Sequence, residues 1–327
     1  MRQMFENLQY PCYDNRAGVD EELKFFSMFS GIGGFDLPAI ELGHSSVGHA
    51  EIDKYAESVY QRYFDNNNYG DVSKIDWKEV DNFEILFAGF PCQSFSIAGS
   101  RRGFEDTRGT LFFEVARCLE QKQPPYCVLE NVRGLLSHDK GRTFETILNT
   151  LDEMGYHAEW EVCNSRYFGV PQNRERVFIV GYLRGQPRPE VFPLSGTDRT
   201  NIRKDQKQVT VVNFQTRNPD RPSLTRICDC GSGKLYKNCH GASGGSGVLM
   251  RDDGITYCLD SACAQGILEG TTIRKLTPLE CERAQGFPDN WTKHGKDNEI
   301  ISDSQRYKMC GNAVTVNVTR TILEKFN

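Results

Sequence analysis

The chain has 327 residues, 38% of them hydrophobic, with 39 Lys and Arg against 44 Asp and Glu for a net charge of −5. That length holds one large or two ordinary domains around a real core. No apolar run approaches a membrane span, and Met1-Arg2-Gln3-Met4-Phe5-Glu6-Asn7 lacks the apolar heart of a secretory signal, so a soluble cytoplasmic protein without a membrane partner is expected.

Residues 1–22 are mixed and polar with no clear period, and read as a loosely docked arm. Lys24 to Phe29 is predicted as the first strand, Gly31 to Gly34 as its turn and Phe35 to Leu42 as the following helix, which together form a nucleotide-binding unit. A second strand, Val47 to Ala50, ends at Glu51, the spacing at which a carboxylate can accept both ribose hydroxyls of a nucleoside. Asp71 follows Gly70 in another turn.

The run Ile85 to Ala88 has the length of a buried strand, and Gly89 with Pro91 must end it. Cys92 therefore falls on a loop past the carboxyl end of a strand. Ligands bind at that edge of an open parallel α/β sheet, and a cysteine held there can act as a nucleophile. Ser100 to Gly109 is polar, charged and glycine-bearing, the composition of a mobile loop, and Thr110 to Gln121 is predicted as a helix with Leu111, Val115 and Cys118 on one face. The strand Tyr126 to Leu129 is followed by Glu130-Asn131-Val132. A helix from Phe144 to Met154, capped by Gly155, and a strand from His157 to Cys163 precede Gln172-Asn173-Arg174-Glu175-Arg176, which leads into the strand Val177 to Tyr182. Twelve cysteines are present, but Cys118, Cys127 and Cys163 lie in apolar or periodic surroundings as single buried thiols do, so a reducing compartment is implied.

From Gly185 to about Gly270 proline, glycine, arginine and threonine rise and periodicity falls. Between Arg184 and Arg251 stand 12 Lys and Arg against 5 Asp and Glu, leaving 27 against 39 in the rest of the chain. A basic segment on an acidic body suits a part that meets phosphates and a part that keeps the protein dissolved. Within it, Cys228-x-Cys230 is followed by Cys239-His240 around a Gly-Ser-Gly turn, a ligand set with the softness and spacing for tetrahedral zinc in a structural site. Gly244-Gly245-Ser246-Gly247 reads equally as a linker or a recognition loop. Thr277 as N-cap and Pro278 at the first helical position predict a helix through Gln285, and Met309 to Val318 is expected to open a terminal helix around Gly311-Asn312.

The ordered set Phe29-Ser30-Gly31-Ile32-Gly33-Gly34-Phe35, Glu51, Asp71, Pro91-Cys92-Gln93, Glu130-Asn131-Val132, Gln172-x-Arg174-x-Arg176 and Gly311-Asn312-Ala313-Val314 resembles the C5-cytosine DNA methyltransferase family along nearly the whole chain. The resemblance implies a Rossmann-like α/β methyltransferase domain over residues 23–184, a smaller irregular target-recognition domain over 185–272, a packing segment over 273–303 and a return to the catalytic domain over 304–327. It implies S-adenosylmethionine as cofactor, held by Phe29, Gly31, Gly33, Gly34, Glu51, Ile52, Asp71 and Asn312, with Ile52 standing where the family usually has tryptophan. It makes Cys92 the nucleophile that attacks cytosine C6, Glu130 the group at N3 and the exocyclic amine, and Arg176 the group at O2, with Gln172 and Arg174 organising the pocket and Ser96 and Arg108 near phosphate. Double-stranded DNA, base flipping and a monomeric enzyme follow from it, and it leaves open both an enzyme with a restriction endonuclease companion and a solitary one. The motif Cys228, Cys230, Cys239 and His240 resembles the SEC-C zinc module, unusual in this family. A tRNA cytosine methyltransferase and a non-enzymatic DNA-binding protein on the same scaffold are the alternatives. The basic insertion speaks against the first, and Cys92, Glu130 and Arg176 together against the second.

Overall fold

The computed structural model describes residues 22–91, 111–194, 211–213, 249–251, 255–256, 258–261, 265–269 and 272–326. Cys92 and the loop that follows it, Ser96, Arg108, the glycine run at 244–247 and all four predicted zinc ligands lie outside the described residues.

The larger sheet has six strands in the order β2-β1-β3-β4-β6-β5. Its strands are β1 (Lys24–Met28), β2 (Ser45–Ala50), β3 (Ile85–Gly89), β4 (Tyr126–Val132), β5 (Tyr156–Asn164) and β6 (Glu175–Leu183). Strands β2, β1, β3 and β4 run parallel, while β6 pairs antiparallel with both β4 and β5. Alternation along the strands sends successive side chains to opposite faces. Phe26, Leu86, Ala88, Cys127 and Leu129 pack with α3 (Leu111–Lys122) and α4 (Arg142–Glu153), whereas Phe25, Phe87, Val128 and Val180 pack with α1 (Asp36–Glu41) and α7 (Val316–Leu323). Both faces are covered, which is why these strands read as short continuous apolar runs. The predicted Rossmann-like α/β class is the one observed.

A third cluster joins α2 (Lys54–Tyr63) to α6 (Asp303–Asn312) through Phe287 and Trp291. The helix α5 (Pro278–Ala284) starts as Thr277 and Pro278 predict, closed by a full capping box with Glu280. Among the described residues, β7 (Val211–Asn213), β8 (Leu249–Arg251), β9 (Gln265–Glu269) and β10 (Thr272–Lys275) form an antiparallel sheet in the order β10-β9-β7-β8, so the basic segment, which holds the first three of them, is more regular than its composition suggests. Ile267 of this sheet packs with Leu259, Cys281 and Cys310.

Several boundaries differ from expectation. Strand β4 continues through Val132 because β6 pairs with it as far as Val132↔Arg176, which puts Glu130 inside the strand instead of beyond its end. Asn312 closes α6, and the terminal helix begins only at Val316. The C-cap of α4 is Met154, with Gly155 following in the left-handed conformation at φ 89°.

Candidate functional site

A cleft of about 620 Å³ opens at the carboxyl ends of β1 to β4 and is lined at one end by the glycine turn and at the other by Pro91, Glu130 and Arg176. At the glycine end, β1 leads into Phe29, held at φ 57°, and Ser30 donates its amide to Ala50 at the end of β2. Gly34 faces Val314 so closely that a Cβ would stand 2.6 Å from Val314 Cγ1, which couples this turn to the segment after α6. Gly33 abuts the Phe64 ring, while Gly31 and Gly34 line the cleft. Glu51 follows β2 with both carboxylate oxygens engaged. Oε2 accepts Gly31 N–H at 2.9 Å, and Oε1 accepts the N–H groups of Ile52 and Asp53 at 2.8 and 2.7 Å.

Next to it the Ile52 side chain is 79% exposed over the cleft, and Asp53, which caps α2, pairs with Lys308 of α6. Asp71 accepts from the Ser73 hydroxyl at 2.8 Å and its amide at 3.0 Å, which holds its carboxyl below the usual range. Asn312 lines the same end from α6.

At the other end Asn131, buried in β4, donates to the Phe90 carbonyl at 2.8 Å and accepts the Val132 amide. That contact fixes the main chain two residues before Cys92. Glu130 stands beside Gly89 in the sheet register, and its carboxylate meets Arg176 with Nε to Oε1 at 3.0 Å. Both side chains are largely buried, 13% and 15% exposed. Removal from water raises the Glu130 carboxyl above its ordinary value, with the Arg176 and Arg174 charges opposing the shift.

Arg174 and Gln172 point elsewhere. The buried Arg174 guanidinium donates to the carbonyls of Leu259, Gly311 and Ala313 at 3.1, 3.1 and 2.8 Å. The Gln172 amide donates to Ala284 O at 2.9 Å and accepts Leu259 N–H at 2.9 Å. These two side chains bind the 258–260 segment, α5 and the end of α6 to β6, and so close the floor of the cleft. They do so with bonds that only a buried cation and a side-chain amide can supply.

Comparison with known proteins decides the family. The family model described as C-5 cytosine-specific DNA methylase matches residues 23–230 and 232–327. The chain is 36% identical over 323 residues to the Type II methyltransferase M1.ScrFI of Lactococcus lactis subsp. cremoris, covering 96% of this chain and 79% of that protein. It is 34% identical to the Type II methyltransferase M.HhaI of Haemophilus parahaemolyticus, over 92% and 93% of the two chains. The chain belongs to the C-5 cytosine-specific DNA methylases.

The enzyme is thus a DNA cytosine-5-methyltransferase, of a family whose cofactor is S-adenosylmethionine. Its fold is also that of the S. pombe Dnmt2 methyltransferase, at a TM-score of 0.67 and 19% identity over 94% of this chain and all of that one. A putative DNA modification methyltransferase from an Escherichia coli prophage matches at a TM-score of 0.63 and 18% identity, over 93% and 98% of the chains. The cleft fits a nucleoside with an amino-acid tail: it has the volume for one, two carboxylates at one end, and main-chain turns where a tail can lie.

The structure brings together Phe29, Gly31, Gly34, Glu51, Ile52, Asp71, Asn312, Glu130, Arg174 and Arg176 around one cleft, with Gln172 behind it. Sequence reasoning passed over Lys308, Asn131 in its role toward Phe90, the exposed Cys258 whose Sγ lies 3.4 Å from Arg174 Nη1, and the Asn66-Asn67-Asn68 run. Only the Asn run carried a signal, since three consecutive amides before a Gly-Asp turn are built to bond main chain.

Proposed function

We propose that this enzyme extrudes a cytosine from duplex DNA and methylates C5 through a covalent bond between Cys92 and C6. The single observation that carries the reading is the largely buried Glu130–Arg176 pair, which shares one cleft with Glu51 and Asp71 and whose Glu130 stands on β4, the strand next to the one that leads to Cys92.

Cytosine C5 is too weak a nucleophile to take a methyl group unaided. Thiolate addition of Cys92 at C6 forms the S–C6 bond and moves the ring electrons to C5. Glu130, whose burial favours its protonated form, supports a proton at N3 as those electrons arrive, while Arg176 steadies O2. Bound S-adenosylmethionine supplies the methyl group, with Glu51 accepting ribose hydroxyls and Asp71 the adenine amino group. Transfer of the C5 proton to water then lets the C5–H electrons reform the C5–C6 double bond as the C6–S bond breaks and Cys92 leaves as thiolate. Extrusion of the base costs roughly a few kcal/mol, offset by phosphate and groove contacts of the basic segment, which we assign with its antiparallel sheet to DNA reading.

A duplex with 5-fluorocytosine at the target tests the covalent step, because fluorine cannot leave as a proton does. It should trap an adduct whose peptide map ends at Cys92, and Cys92→Ser should trap none. Full trapping by that variant would remove Cys92 from the mechanism.

A restriction endonuclease companion belongs to the reading, supported by the Type II names of the relatives. So does structural zinc on Cys228, Cys230, Cys239 and His240, supported by ligand chemistry alone. Among the described residues no group of three His, Cys, Asp or Glu could hold a metal. Elemental analysis should find about one zinc per chain, and Cys230→Ala should lose metal and DNA binding but keep the cofactor.

A further inference from the structure

We propose that Asn68 is a positioning residue that locks the two cofactor carboxylates, Glu51 and Asp71, into one unit. The proposal rests on the reading of those carboxylates as the ribose and adenine acceptors. The two lie 20 residues apart in the chain, and α2 intervenes, so something must set their separation.

The segment at 67–69 returns alongside the end of β2 as a short added strand. His49 N–H donates to Asn67 O at 2.9 Å, and Tyr69 N–H donates to His49 O at 2.8 Å. From this strand the Asn68 amide reaches back. Its Oδ1 accepts Glu51 N–H at 3.1 Å and Gly70 N–H at 2.8 Å, while its Nδ2 donates to Glu51 O at 3.0 Å. One planar group therefore holds both main-chain polar atoms of Glu51 and the amide of the residue next to Asp71. The contacts use an acceptor atom and a separate donor atom on one short planar side chain, the pair that an asparagine amide carries.

The surroundings make the strand rigid. Gly48 lets Tyr69 lie against β2, since a Cβ there would stand 2.7 Å from Tyr69 Cε2. Beneath it the buried His49 ring stacks on Tyr60, with one nitrogen on Glu57 at 2.7 Å and the other on Asn66. Asn67, by contrast, is exposed and contributes main chain only.

Freeing Glu51 and Asp71 from each other removes preorganisation of the adenosine end without touching the base end. The test is calorimetric binding of S-adenosylmethionine and of 5′-methylthioadenosine, which lacks the amino-acid tail, to Asn68→Ala, Asn67→Ala, Glu51→Ala and the double variant Glu51→Ala/Asn68→Ala. Asn68→Ala should weaken both ligands about tenfold, or about 1.4 kcal/mol. It should raise KM for cofactor by a similar factor, with kcat at saturating cofactor, KM for DNA and the urea midpoint nearly unchanged. Asn67→Ala should bind within about twofold of wild type, and the Asn68 change should cost little further in the Glu51→Ala background. Wild-type affinity in Asn68→Ala, or the same loss in both backgrounds, overturns the coupling. Normal binding by Glu51→Ala would instead refute the ribose assignment, a result separate from the behaviour of Asn68. Should Asn68→Ala not fold, Asn68→Asp keeps the acceptor and turns the contact to Glu51 O repulsive, so its affinity should also fall, and unchanged affinity overturns the proposal.

Discussion

The two ends of the cleft hold their carboxylates in opposite ways. Glu51 accepts from three main-chain N–H groups, and the Ser73 hydroxyl and amide hold the Asp71 carboxyl below its usual range. Glu130 is taken out of water within a strand, and burial raises its carboxyl although two guanidiniums stand close by. The same residue type is thus ringed by main-chain donors at one end and raised by burial at the other. Environment, and not identity, separates the roles.

If the division is right, substitutions at the two ends should give different kinds of loss. Glu130→Gln should show the largest, a fall of about 10² to 10³ in the single-turnover rate, with S-adenosylmethionine bound as in wild type. Glu51→Ala should reverse the pattern. Loss of a charged acceptor is worth about 1.5 to 3 kcal/mol, roughly 10- to 100-fold in cofactor affinity by calorimetry, with kcat at saturating cofactor little changed. Gln172→Ala belongs to neither end. It leaves buried partners at Ala284 and Leu259 unmet and should lower the free energy of urea unfolding by about 1 to 3 kcal/mol. The smallest effect is a gain: Ile52→Trp places an aromatic face where a 79%-exposed aliphatic stands, and should tighten cofactor binding by about 0.5 to 1.5 kcal/mol.

Much of this division was legible in the sequence. The glycine turn and Glu51 follow short apolar runs, and such runs bounded by glycine and proline mark buried parallel strands well, while Asp71 was legible from its Gly-Asp turn. Glu130 was legible as a residue but not in its setting. Nothing in Tyr126 to Val132 announces that β6 pairs antiparallel along its whole length, and that pairing is what buries the carboxylate. The work of Gln172 and Arg174 was equally hidden, because their partners are main-chain carbonyls and amides more than 80 residues away, which any sequence supplies. Strands β7 to β10 escaped notice because three- to five-residue strands show no measurable period.

The pH dependence of single turnover tests most directly the proposal that Glu130 works through a raised proton affinity. A raised carboxyl is protonated at low pH and loses its proton as pH climbs through the shifted value, so its catalytic contribution should decline in that direction. Any stabilisation linked to that proton is likewise complete below the ordinary value near 4.5 and lost on the way up. Because ionisation of Cys92 affects both proteins alike, the ratio of wild-type to Glu130→Gln rates over about pH 5 to 9 isolates the carboxyl. The ratio should be largest at low pH and fall as pH rises. A ratio that stays constant, or one that grows with pH, would contradict it.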